Sequence, residues 1–127
     1  MRMFNRVWFN VRRYFTNWAA LNRSYTNLWL DDVRPAPRGW YHATSVEEAL
    51  DILKNCFVFK CSLDHDLGLE LTGYDLGKEI VRLREECGLN IWPLAKPTIH
   101  SQNPPGARNM REMIDRWGPY NFKRGKR

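Results

Sequence analysis

Several things are scarce in this chain, and each absence narrows the reading. No stretch of 18 uninterrupted apolar residues occurs, so no transmembrane helix is expected. The first residues carry arginines but no clean apolar stretch leading to a small-residue cleavage site, so a secretory signal is not expected either. The three cysteines, Cys56, Cys61 and Cys87, form no CxxC pair and are odd in number. They fit reduced, partly buried thiols in a cytoplasmic protein better than a disulfide framework. No cysteine adjoins a histidine in a setting that would make it a nucleophile. Nucleotide-binding Walker loops, HExxH and Cys–His metal spacings are also missing, and no internal repeat is visible.

Acidic residues are missing from both ends. Residues 1–26 hold five arginines and residues 116–127 hold Arg116, Lys123, Arg124, Lys126 and Arg127, with no carboxylate in either stretch. The intervening residues 27–115 carry ten basic and fourteen acidic side chains. Basic arms around an acidic middle favour a polyanion such as RNA through counterion release, or else simply keep the protein in solution. A chain of 127 residues, 43% of them hydrophobic, is enough for one domain with a real core and not for two.

What is present is a set of short apolar runs that each end in polar groups. Phe57–Leu63 reads as a buried strand running into Asp64–His65–Asp66. Leu28–Trp29–Leu30 runs into Asp31–Asp32, and Pro97–Thr98–Ile99 runs into His100–Ser101–Gln102–Asn103. Open α/β sheets bind ligands at the carboxyl ends of their strands, so these three ends are expected to share one pocket.

Between the runs the sequence alternates. In residues 4–21, Phe4, Val7, Trp8, Val11, Tyr14, Phe15, Trp18 and Leu21 recur at helical spacing. That stripe suits either an interfacial helix for a membrane surface or RNA, or a helix packed on the protein's own sheet. Prolines 35 and 37 exclude a regular helix after Asp31–Asp32, and Trp40–Ala43 reads as a short strand. Ser45–Glu48 is a capping box opening a helix with Val46, Ala49, Leu50 and Leu53 on its apolar face. Thr72–Asp75 opens another, with Leu76, Ile80, Leu83 and Cys87 in register and Gly88 as its C-cap. A last helix follows Asn103–Pro104–Pro105–Gly106, with Met110, Met113, Ile114 and Trp117 on one face and Gly118–Pro119 as its stop. From Ser45 onward the alternation implies right-handed βαβ units and a mainly parallel sheet. The link between the first two strands is shorter than the roughly dozen residues of a helical crossover. One sheet face then lacks its usual cover, which favours the packing role for residues 4–21. The expected organisation is an N-terminal helix or arm over 1–26, a domain over 27–118 and a basic tail over 119–127.

These blocks resemble the receiver domain of response regulators. In that family an acidic pair follows the first strand, a phosphoacceptor aspartate ends the third and a Ser or Thr ends the fourth. Asp31–Asp32, Asp64 and Ser101 fit those places, and Gly73 fits the glycine opening the next helix. The wording is closer to the divergent cyclic-phosphate processing receiver-like domains: Leu30–Pro35, Ser62–Gly68, Gly73–Asp75, His100–Gly106 and Asn109–Met110. The resemblance covers about residues 27–117. It implies an α/β fold, a minimal receiver-like (flavodoxin-like) and mainly parallel sheet of about four strands. Two parts of the receiver pattern are lacking, the usual first helix and a clear fifth strand with its lysine; Lys123 is a poor substitute, which counts against ordinary phosphorelay signalling.

The chemistry expected at the sheet end follows from its residue types. Asp31, Asp32, Asp64 and Asp66 are candidate ligands for a hard cation, Mg²⁺ or Mn²⁺, although Asp32 and Asp66 also suit solvated loop positions. His100 is a candidate for proton transfer beside Asp64, or a local support for the aspartates; His65 and His42 read as structural. Ser101, Asn103, Gly106, Arg108 and Arg34 are candidates for holding a phosphate, with the last helix's N-terminus contributing N–H groups. Together with what the resemblance implies, the reading is metal-dependent binding and processing (hydrolysis or transfer) of a phosphate ester, cyclic or terminal, on RNA. Its alternatives are a non-catalytic module recognising a phosphorylated ligand, nucleotide or protein, and a degenerate phosphoacceptor switch.

Overall fold

The structure, a computed structural model, describes residues 25–68 and 70–120. Strand β1 (Thr26–Leu30) is followed by β2 (Tyr41–Ala43), helix α1 (Val46–Asn55) and strand β3 (Val58–Leu63). Helix α2 (Gly73–Cys87), strand β4 (Thr98–Ile99) and helix α3 (Pro104–Trp117) complete the order. The amphipathic stretch 4–21 and the tail Lys123–Arg127 lie outside the described residues.

Each helix starts where local chemistry stops the strand-like backbone. Ser45 caps α1 by accepting from the Glu48 N–H, and Thr72 with Asp75 forms a reciprocal capping box on α2. Gly88 ends α2 in the left-handed conformation, as the sequence predicts. The buried faces differ slightly from the periodic expectation. Ile52 is buried on α1 while Leu50 is only half-buried, and Cys87 and Trp117 at the last turns of α2 and α3 are exposed. Both are the last residues of their helices.

The sheet is four-stranded and parallel throughout, in the order β2-β1-β3-β4. This is a minimal flavodoxin-like arrangement. Stepping from β2 to β3 and from β3 to β4 moves across the sheet in one direction, so right-handed crossovers put α1 and α2 on the same face, and α3, which follows the last described strand, packs into the same core. The core confirms it: Leu28, Leu30, Ala43, Cys61 and Leu63 from one sheet face pack with Ala49, Leu53, Leu76, Ile80, Met110 and Ile114 from the helices. Only the step from β1 to β2 runs the other way, and residues 31–40 contain no helix. Among the described residues no strand follows α3.

One expectation fails within β3. Phe57 and Phe59 are exposed, with the Tyr25 ring tilted against both, rather than buried. The register explains why. Thr26 pairs with Val58 but Leu28 pairs with Cys61, so β3 carries an extra residue and its alternation breaks there.

Candidate functional site

Register alone aligns the candidate side chains. Leu30 pairs with Leu63, and Leu63 with Ile99. The next residue of each strand is therefore Asp31, Asp64 and His100, and all three start from level backbone positions. The Asp64 N–H reaches the Leu30 carbonyl and the His100 N–H reaches that of Leu63, each at 3.0 Å.

Asp31 is the best-anchored of them and is almost wholly buried. Its Oδ1 accepts from the Val33 and Arg34 N–H groups at 2.7 and 2.8 Å, and its Oδ2 accepts from His100 Nε2 at 3.0 Å. Burial by itself would raise this carboxyl, but those two backbone bonds and then His100 outweigh it and hold Asp31 below the ordinary carboxylate range. A carboxylate has about four lone-pair sites, so these bonds leave a place open on Oδ2.

Because ionised Asp31 only accepts, His100 Nε2 carries the proton. Burial lowers the His100 pKa, partly offset by Asp31, so its ring is neutral at pH 7. Its Nδ1 then accepts from the Ser62 hydroxyl at 2.7 Å, and Ser62 in turn accepts from Thr98 Oγ1 at 3.1 Å. Trp29 stacks flat on the imidazole with ring centroids 3.9 Å apart. His100 is thus held on both nitrogens and on one face. Sequence reading missed Trp29, Ser62 and Thr98. Strand alternation was the available signal, since each lies two residues before Asp31, Asp64 or His100 and so shares its face.

Asp64 is different. It is buried to 8% exposure, yet no hydrogen bond reaches its carboxylate among the described residues. Asp32 is exposed, and Gly68 lets it sit there: Gly68 has φ +65°, and a Cβ would lie 2.8 Å from Asp32 Oδ2. Oxygens of Asp31, Asp32 and Asp64 all fall within 4.8 Å of one another. Three carboxylates this close repel unless a cation lies among them, and an all-oxygen donor set fits Mg²⁺ or Mn²⁺. The residues present therefore fit such a cation, which Asp31, Asp32 and Asp64 would hold.

An open pocket of about 330 Å³ faces this cluster, lined by the Asp31–Arg34 turn, Asp64, Asp66 and Gln102. Gln102 had no role in the sequence reading. Asp66 is largely exposed and lies outside the three-carboxylate group; hydrogen bonds from His65 and then Asn103 lower its pKa. Arg34 lines the pocket and donates to the His100 carbonyl at 2.6 Å. A larger groove of about 840 Å³ between α2 and α3 has Glu85, Glu86, Glu112 and Asp115 in its lining, but among the described residues only Asp31, Asp32 and Asp64 bring ligand oxygens within 4.8 Å of one another, so chemistry and not size picks the candidate site.

The remaining candidates sit apart from the pocket wall. Ser101 Oγ accepts from the Asn103 N–H. Asn103 caps α3 through the Gly106 N–H, and Gly106 is buried against the His65 ring. Arg108 is exposed in a separate groove with Arg111. The expected free N–H groups of the last helix are not there. The helix starts at Pro104, both Pro104 and Pro105 lack an N–H, and Asn103 takes those of Gly106 and Ala107. His42, as expected, is structural: its Nε2 meets the Asp31 carbonyl oxygen at 2.7 Å.

The sequence profile of the cyclic-phosphate processing receiver domain matches residues 26–116. The chain belongs to that family. Comparison with curated proteins and with solved structures gave no match. As a receiver domain, it carries the kind of acidic cluster by which receivers bind Mg²⁺, without the helix that normally joins the first two strands. No helix among the described residues is long and apolar enough to cross a membrane.

Proposed function

We propose that this receiver domain binds Mg²⁺ or Mn²⁺ through Asp31, Asp32 and Asp64 and processes a cyclic or terminal phosphate ester, on RNA brought in by the basic arms. The observation that carries the reading is the Asp64 carboxylate, on a largely buried residue and without a hydrogen bond among the described residues, beside anchored Asp31 at the floor of a pocket open to solvent. The cation would supply charge neutralisation at the phosphoryl oxygens. Arg34 on the pocket wall binds and orients the phosphate, with Gln102 as a neutral donor. Asp64 either accepts the proton of an attacking water or itself attacks phosphorus. In both routes the P–O bond to the leaving ribose oxygen breaks and that oxygen takes a proton from solvent, and in the second route water then hydrolyses the aspartyl phosphate. His100 fixes the orientation of Asp31 instead of reaching substrate, since its two ring nitrogens are already bonded.

A second reading, recognition without turnover, is favoured by one observation. No histidine lines the pocket, so a general acid for the leaving oxygen has no obvious side chain there. Turnover of an oligoribonucleotide ending in a 2′,3′-cyclic phosphate, with Mg²⁺, Mn²⁺ or chelator, separates the two. Metal-dependent ring opening that Asp64→Ala abolishes in a still-folded protein supports processing. Binding without conversion supports recognition, and turnover retained in Asp64→Ala refutes the assignment of Asp64.

A further inference from the structure

Strand pairing sets two level rows of side chains on the sheet face away from the core. Trp29 pairs with Ser62, and Ser62 with Thr98. Asp31, Asp64 and His100 come two residues later on the same strands, so they stand on the same face, one pleat above. None of the lower three joins the core cluster, although Ser62 is only 5% exposed. Their hydroxyls lead instead to His100. Thr98 Oγ1 lies 3.1 Å from Ser62 Oγ and 3.5 Å from the Cys61 carbonyl oxygen, so Ser62 is its better partner. Ser62 Oγ lies 2.7 Å from His100 Nδ1, and His100 Nε2 lies 3.0 Å from Asp31 Oδ2. An ionised carboxylate donates nothing. With the ring neutral, every bond therefore has one direction: Thr98 to Ser62, Ser62 to His100, His100 to Asp31.

A second set of contacts closes on the same ring. Trp29 lies within 8° of parallel to it, and the indole Nε1 donates to the Arg34 carbonyl at 3.2 Å. Arg34 in turn gives its backbone N–H to Asp31 Oδ1 and its guanidinium to the His100 carbonyl. Asp31 is thereby held on both oxygens by groups that also hold one another. Asp32 is exposed, and no hydrogen bond reaches the Asp64 carboxylate among the described residues, so neither has such support. A carboxylate that cannot rotate offers its free lone pair in one direction, and the partners behind a ligand govern metal affinity as well as the ligand itself. We infer, on the basis of the three-aspartate cation site proposed above, that Ser62 and Thr98 are positioning residues for the cation. Through His100 they fix Asp31 as the one preset ligand, and Asp32 and Asp64 close on the ion it receives. Their hydroxyls matter, not their bulk.

The test is calorimetric titration of the full chain with Mn²⁺, beside Asp64→Ala, Ser62→Ala, Thr98→Val and Thr98→Ser, each checked for folding by urea unfolding. Loss of a partner behind a ligand costs about 10–100-fold in metal affinity, so Ser62→Ala is expected to weaken Mn²⁺ binding about tenfold. Thr98 separates positioning from packing, because valine keeps its shape without the hydroxyl and serine keeps the hydroxyl without the methyl. Thr98→Val is expected to weaken binding at least about threefold, and Thr98→Ser less than about twofold. Thr98 is exposed on the edge strand β4, so this pair carries the test if Ser62→Ala does not fold. The reverse order at Thr98 would overturn the inference and leave the cation site standing. So would a Ser62→Ala affinity within about twofold of wild type while Asp64→Ala abolishes binding. No Mn²⁺ binding by the wild type would overturn the cation site, and the inference with it.

Discussion

Gly73→Ala is the substitution whose sign most directly tests how the site is built. Gly73 opens α2, and at an ordinary helix position alanine is favoured over glycine by up to about 1 kcal/mol. Here a Cβ would run into the backbone carbonyl oxygen of Asp64 and lie 2.8 Å from Met110 Cε. The methionine can swing aside. The carbonyl cannot, because Asp64 is tied through its own N–H to Leu30 and the Gly73 N–H is tied to His65. Overpacking of this kind costs about 1–3 kcal/mol, which exceeds the helical gain, so a net loss of about 1–2 kcal/mol is expected. With a urea slope of about 1.5 kcal/mol/M, the midpoint falls by roughly 1 M. Gly77→Ala is the internal control: its Cβ meets only the flexible end of the Met113 side chain, and its midpoint should hold or rise. The backbone shift in Gly73→Ala also moves Asp64, so Mg²⁺ affinity, read by isothermal calorimetry on the folded variant, should weaken as well. A Gly73→Ala protein at least as stable as wild type would refute the close-approach argument.

Two further outcomes are expected. His100→Ala removes a hydrogen bond to ionised Asp31 and strands the Ser62 hydroxyl, a loss of about 2–3 kcal/mol by urea unfolding; an unchanged midpoint would mean that His100 does not anchor Asp31. Asp75 is held below its usual pKa chiefly by the Thr72 N–H. Its stabilisation is therefore complete above the unfolded value near 3.8 and is lost as pH falls through the lower folded value. Asp75→Ala should cost about 1 kcal/mol at pH 7, and the gap to wild type should narrow below about pH 4. A gap of constant size down to pH 3 would contradict the capping role.

Helix caps, strand cores and the strand-ending aspartates are legible in the sequence because they depend on neighbours in sequence. A capping box needs residues three apart, and a strand end is where apolar residues give way to polar ones. Thus Ser45, Thr72, Gly88, Asp31 and Asp64 stand where the sequence places them. The bulge in β3 and the blocked start of α3 were less legible. The first depends on how β1 pairs with β3, the second on whether the helix takes in Pro104 and Pro105 or begins after them.

By itself, then, the sequence determined the order of elements, the parallel sheet and the family, since periodicity, caps and motif wording are local. Only the tertiary structure decided which polar groups meet. Register across β1, β3 and β4 brought Asp31, Asp64 and His100 level, and strand alternation put Trp29, Ser62 and Thr98 beneath His100. Helical phase turned Arg108 to another surface. A side chain's neighbours across a sheet depend on pairing between distant segments, and no stretch of sequence read alone contains that pairing.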